Sequence, residues 1–251
     1  MNHRIYIKKS YAGIWRAKLK TPFRTALGAH DLLENILFSV ELSNGVFGYG
    51  EAAVATHITG ETVRGTLRNL MDATRDIIGL PLHGFPGVAD EFGGRFSKNK
   101  CALAALEMAM LDACTRTRGM PLWRAFGTRP EKVRTDMTVV LGSEAEATRA
   151  AHAILRRGIR SLKVKIGGNF DEDIHRVVAV SRVGKSCPVY LDANQGFSAV
   201  QTLKFLKELK KLGIVPALVE QPVPKRDWDG LKKVTRESKS LVVADESAGS
   251  L

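Results

Sequence analysis

Two lysines stand one residue apart in the run Ser161-Leu162-Lys163-Val164-Lys165-Ile166-Gly167. The run alternates like a β-strand, so Leu162, Val164 and Ile166 share one face and Lys163 and Lys165 the other. Two ammonium groups on one covered face repel each other and lose hydration. That favours release of a proton from one of them and suits it to act as a base. Taken alone, the run reads first as an edge strand with a solvated polar face, where lysines are common.

Acids recur downstream at a steady interval. Asp192 closes Tyr190-Leu191-Asp192-Ala193-Asn194, Glu220 closes Leu218-Val219-Glu220-Gln221-Pro222, and Asp245 closes Val243-Ala244-Asp245-Glu246-Ser247. From Lys165 the steps are 27 (165 to 192), 28 (192 to 220) and 25 (220 to 245). Each step is the length of one βα unit. A parallel barrel would therefore gather all these side chains at one mouth, where such barrels place their active sites. Singly, each acid reads as a helix N-cap or an exposed loop charge. A charged group at the end of four consecutive strands is a different matter. Three carboxylates brought together repel unless they share a cation. Hard oxygen donors with no histidine at these strand ends suit Mg²⁺, or Mn²⁺, rather than zinc. A lysine base beside a divalent cation can remove a proton α to a carboxylate, while the cation offsets the charge that develops.

The elements that must position these residues follow from periodicity. Residues 4–19 alternate loosely, Thr21-Pro22-Phe23-Arg24 should break that strand at its proline, and 35–42 and 46–49 form two strands around an Asn44-Gly45 turn. Helices are expected over 61–78 and 100–118, the second ended by Gly119 with Pro121 beyond, and the Gly- and Pro-rich 79–97 reads as loop. This makes 1–127 an α+β domain of meander plus helices. From 128 onward strands alternate with helices: strands over 133–141, 161–166, 188–192, 216–220 and 241–245, helices over 143–157, 171–183, 198–212 and 227–238. Ser143 and Glu146 have capping-box spacing. Alternation of this kind specifies parallel βα units, so 128–251 reads as an incomplete parallel (β/α) TIM-type barrel of about five of eight strands.

Composition excludes some alternatives. In 251 residues, 44% are hydrophobic and 25% charged, ordinary for a soluble globular protein. No apolar run approaches the roughly 20 residues that span a membrane. No secretory h-region opens the chain. Cys101, Cys114 and Cys187 lie far apart without a CxxC, which argues against zinc and disulfide frameworks and fits a cytoplasmic protein. The net charge of +12 is scattered along the chain rather than interleaved with aromatics, so nucleic acid is not the expected partner. An acidic small-molecule substrate explains it as well.

Taken together, Lys163-Val164-Lys165, Asp192-Ala193-Asn194, Glu220-Gln221-Pro222 and Asp245-Glu246-Ser247 resemble the muconate-lactonizing-enzyme subgroup of the enolase superfamily. Gly48-Tyr49-Gly50-Glu51-Ala52 resembles that family's capping-domain signature, and 105–113 with Pro121-Leu122-Trp123 its domain-connecting helix. The resemblance covers essentially the whole chain. It implies that Asp192, Glu220 and Asp245 bind Mg²⁺ and that Lys165 is the base on one face of the substrate α-carbon. It implies that Lys163 contacts the substrate carboxylate, and that Asn194 and Glu246 line or support the site. Within the subgroup, 21–27 looks most like the mobile specificity loop of dipeptide (L-Ala-D/L-Glu type) epimerases. There Arg24 would bind the far carboxylate of an acidic dipeptide and Thr138 would contact substrate. o-Succinylbenzoate synthase, N-acylamino-acid racemase and muconate cycloisomerase are the alternatives. A non-enzymatic remnant or basic binding scaffold is the alternative of another class.

One departure from the family pattern is large. Leu251 stands six residues after Asp245 (245 to 251). The second base that the resemblance places on a sixth strand is not in the sequence, nor is the acidic motif of an eighth strand. The expectation is a truncated product without racemase turnover, whose longer parent is a homo-oligomer.

Overall fold

The structure is a computed structural model. It describes residues 5–82, 85–127, 129 and 131–249, with the backbone alone for 85–89. Residue 4, the expected start of the first strand, and Leu251 lie outside the described residues. The chain forms two compact units, Met1–Leu19 with Leu32–Lys132, and Lys20–Asp31 with Val133–Leu251.

The first unit is built on a three-stranded sheet in the order β1 (Ile7–Thr25), β2 (Gly28–Leu42), β3 (Phe47–Ala52). Along β2, Ile36, Phe38, Val40 and Leu42 are all fully buried, the period-2 pattern of a strand with one covered face. The Asn44-Gly45 turn forms as expected: Gly45 takes φ 83° and the Val46 amide donates to Asn44 Oδ1 at 3.2 Å. Pro22 does not break β1, which runs on to Thr25. β1 lies at the sheet edge, where proline is tolerated. The tip of this hairpin, Lys20–Asp31, belongs to the second unit.

Helices α1 (Thr56–Thr59), α2 (Val63–Ile77), α3 (Phe85–Arg95) and α4 (Lys100–Thr117) complete this unit, with a 3₁₀ turn over Leu122–Phe126. Helix α3 corrects the loop expected for 79–97. Pro86 sits in its first turn, where a missing amide is tolerated. Phe92 and Phe96, 1% and 2% exposed, supply the packing that overrides the poor propensity of Gly93-Gly94. Gly119 ends α4 in the left-handed conformation at φ 60°.

On α4, Ala105, Ala109 and Ala113 recur every four residues and make a groove of small side chains. Into it sink Gly48 and Gly50 of β3. A Cβ on Gly50 would overlap the Ala105 carbonyl, and one on Gly48 would overlap that of Ala109. This explains the glycines of Gly48-Tyr49-Gly50 without invoking chemistry. Gly50→Ala is expected to destabilise the protein by about 2–3 kcal/mol through overpacking, read as a lower urea midpoint. An unchanged midpoint would refute the close approach.

The second unit holds a five-stranded parallel sheet in sequential order: β4 (Met137–Val139), β5 (Leu162–Lys165), β6 (Val189–Asp192), β7 (Leu218–Glu220) and β8 (Leu241–Val243). Between them lie α5 (Glu144–Arg156), α6 (Phe170–Val183), α7 (Ala199–Lys211) and α8 (Trp228–Glu237). The Ser143/Glu146 capping box forms in both directions. Leu162, Val164, Leu191 and Val219 are fully buried on one side with Ala151, Val177, Phe205 and Leu209. That apolar layer leaves the opposite strand face to the charged residues. Among the described residues no helix is long and apolar enough to cross a membrane, and the three cysteines are free.

Candidate active site

Parallel register sets the site. Lys165 pairs with Asp192, and Asp192 with Glu220, so three neighbouring strands end in charge at one level. Thr138 is in register with Lys163, which places it on the lysine face. Lys163 bridges the strand ends: its Nζ lies 2.9 Å from Asp192 Oδ2 and 2.8 Å from Glu220 Oε1. Burial works to lower the Lys163 pKa. The hydrogen bonds and charges of Glu220 and Asp192 outweigh it and hold Lys163 above the ordinary lysine value. The expectation that mutual repulsion would loosen its proton fails here, because the partners that decide the matter come from β6 and β7 rather than from its own strand. Asp192, 1% exposed, is pushed up by burial. Lys165 and then Lys163 more than reverse this and keep it below the usual carboxylate range. Glu220 ends above its usual value: burial raises it, Lys163 opposes, and the charges of Asp192 and Asp245 raise it further.

Lys165 is the deeper lysine, 6% exposed. Its Nζ donates to Asp192 Oδ2 and to Asn194 Oδ1, both at 2.6 Å, and lies 5.9 Å from the Phe23 ring centroid. Asn194 is itself pinned. Its amide donates to Asp192 Oδ1 at 3.0 Å and its Nδ2 to Glu246 Oε1 at 3.2 Å. The other Glu246 oxygen is buried without a hydrogen-bond partner. Asn194 and Gln195 take φ of 40° and 70°, a strained loop of the kind that collects at functional sites.

Asp192 and Glu220 end consecutive strands and Asp245 follows β8; together they are a hard-oxygen donor set, and Asp192 and Asp245 push up the pKa of Glu220. That chemistry fits Mg²⁺. As the side chains lie, however, Asp192 and Glu220 are closed on Lys163. Among the described residues no three His, Cys, Asp or Glu groups stand close enough to share an ion. Asp245 is exposed, two residues beyond the end of β8.

Arg24 lies on the hairpin tip, half-buried, with Nη1 3.5 Å from Glu146 Oε1. Its carbonyl accepts from the Leu141 amide at 3.2 Å. Arg24, Phe23 and Thr138 line one groove of about 840 Å³ beside β4 and α5. Sequence reasoning gave no role to Phe23 or Gln221. Gln221 is fully buried at φ 33°. Its Oε1 accepts from the Asp245 and Ser247 amides at 2.9 and 3.0 Å, which fixes the loop that carries Asp245 and Glu246. The only sequence signal was its place in Glu220-Gln221-Pro222.

Lysine-bearing and acid-ended strands of one parallel sheet match the barrel part of an enolase-superfamily fold. Two family models agree: "Mandelate racemase / muconate lactonizing enzyme, N-terminal domain" matches residues 13–127, and "Enolase C-terminal domain-like" matches 145–251. The chain belongs to the mandelate racemase/muconate lactonizing enzyme family. It is 46% identical to a hydrophobic dipeptide epimerase of Citrifermentans bemidjiense, over 98% of this chain and 69% of that one. It is 32% identical to the L-Ala-D/L-Glu epimerase of Bacillus subtilis, over 91% and 63%. A dipeptide epimerase of Enterococcus faecalis, solved with Mg and L-Leu-L-Tyr, superposes with a TM-score of 0.90 at 31% identity, over 97% of this chain and 68% of that one. The chain thus spans about two thirds of the length of such relatives.

Proposed function

We propose that this chain carries the metal-and-lysine part of a dipeptide epimerase site and abstracts the α-proton of a dipeptide's C-terminal residue. The observation that supports it most is Lys165, buried beside Asp192 and Asn194 at 2.6 Å, with Lys163 held as a cation two residues away. The two lysines are unlike, which divides the work. Lys163 keeps its proton and presents a fixed positive charge to a substrate carboxylate. Lys165 Nζ takes up and returns the α-proton, oriented by Asn194 and covered by the Phe23 ring. Asp192, Glu220 and Asp245 are the residues that would hold Mg²⁺. Once bound, the ion would supply positive charge against the carboxylate oxygens as the α-carbon loses its proton.

We place the dipeptide's far end toward Arg24 and Thr138. Glu146 offsets the Arg24 charge, and the 46%-identical relative is a hydrophobic dipeptide epimerase. Both favour an apolar second residue over the acidic one. Free cysteines fit a reducing cytoplasm. The test is α-proton wash-out in D₂O followed by ¹H NMR, with Mg²⁺ and L-Ala-L-Phe, L-Ala-L-Leu or L-Ala-L-Glu. Wash-out needs one base, whereas inversion needs a proton donor on the opposite face as well. Exchange of the apolar dipeptides ahead of L-Ala-L-Glu is expected. Faster exchange of L-Ala-L-Glu would return Arg24 to carboxylate binding, and no exchange of any dipeptide would overturn the reading.

A further inference from the structure

Helices α5, α7 and α8 meet the sheet with Ala147, Ala151 and Ile154, with Thr202, Phe205 and Leu209, and with Leu231 and Val234, all buried. Helix α6 differs. Beside Val177 and Val180 it buries Asp173 at 0% and Arg176 at 3% exposure, joined as an ion pair. A buried ion pair is poor evidence of stabilisation, since apolar residues of similar volume often serve as well or better. Its partners suggest another use. Asp173 Oδ2 accepts from the Gly167 and Gly168 amides at 2.7 and 3.1 Å. Arg176 Nη1 donates to the Lys165 carbonyl at 3.3 Å, and its Nε to the Gly142 carbonyl at 2.9 Å.

The pair therefore grips the backbone of Lys165 and of the two glycines just beyond it, and ties both to the loop after β4. Gly167, at φ 97°, is pressed against the loop that carries Asn194. A Cβ there would lie 2.7 Å from the Ala193 carbonyl oxygen. Lys165 ends β5, so its own Cα would otherwise be held by the strand ladder on one side only.

We propose that Asp173 and Arg176 are positioning residues for Lys165: they fix the backbone at the end of β5 so that its Nζ stays between Asp192 and Asn194. This rests on the assignment of Lys165 as the base. Of the two, Arg176 is the more telling, because its planar fork donates to the Gly142 and Lys165 carbonyls from two separate nitrogens, a geometry that a single ammonium does not reproduce.

The test compares the wild-type chain with Arg176→Lys and with the apolar double variant Asp173→Leu/Arg176→Leu. Two quantities are followed: acetylation of Lys165 by acetic anhydride, read by peptide mass spectrometry, and α-proton exchange. A merely structural pair predicts that the apolar double variant, once folded, matches wild type in both. The proposal predicts that, in the folded variant, Lys165 acetylates at least about tenfold faster. It also predicts that kcat for exchange falls roughly 100-fold, with little change in KM, as for a misplaced catalytic group. Arg176→Lys should show the same split and decides the matter if the double variant fails to fold. Unchanged Lys165 labelling in a folded variant overturns the proposal. If the wild type shows no exchange, the functional reading fails, and the labelling arm still decides the clamp.

Discussion

Lys165→Ala is expected to slow α-proton exchange by roughly 10³-fold, the scale of a lost general base, or about 4 kcal/mol in the barrier. The fold should survive. Asp192 keeps the Lys163 ammonium 2.9 Å away, so no buried carboxylate is left without a cation. The rise in thermal midpoint that Mg²⁺ is expected to give the wild type should survive too, since all three acids remain. The variant therefore separates base from metal site. Retained exchange, measured by the same NMR wash-out, would remove Lys165 from the role of base. Lys163→Ala gives the contrast: it opens the bridge between Asp192 and Glu220, so its main effect should fall on KM for the carboxylate substrate.

Asp192→Ala should be the most damaging change to the fold at the site. Asp192 is buried and receives both ammonium groups, and its other oxygen accepts from the Asn194 amide. Removing it leaves Lys165 buried with one neutral partner and sets two cations facing each other. Breaking a buried pair from one side costs about 3–5 kcal/mol. Wild-type protein at about 100 times the Mg²⁺ dissociation constant should gain about 2.7 kcal/mol, and Asp192→Ala should gain none. A urea midpoint close to wild type, with the Mg²⁺ effect intact, would refute both its structural role and its place in the donor set.

Much of this was legible in the sequence because the rules involved are local. Strand alternation placed Lys163 and Lys165 on one face, and the spacing of the βα units brought Asp192 and Glu220 level with them. What escaped was decided by neighbours distant in sequence. The charge sense of Lys163 was misjudged from its own strand, since Glu220, 57 residues on, sets it. Helix α3 was hidden behind Pro86 and two glycines, although Phe92 and Phe96 pack it. Asp173 and Arg176 gave no signal in the sequence, because an i,i+3 ion pair looks the same there whether buried or exposed. Arg24 was assigned to substrate on loop resemblance, and only the structure brings Glu146 beside it.

The hairpin tip has a consequence for synthesis. Phe23 leaves the ribosome 142 residues (23 to 165) before the lysine it covers, a wait on the order of 10 s at ordinary elongation rates. During that wait the tip is an unpaired edge bearing Pro22 and an aromatic ring, with nothing yet made to receive it. The first unit can collapse around β2 and α4 while the tip stands idle. The barrel strands, arriving in order β4 to β8, then supply its seat. The part of the chain that lies over Lys165 is thus translated long before the strand it comes to cover.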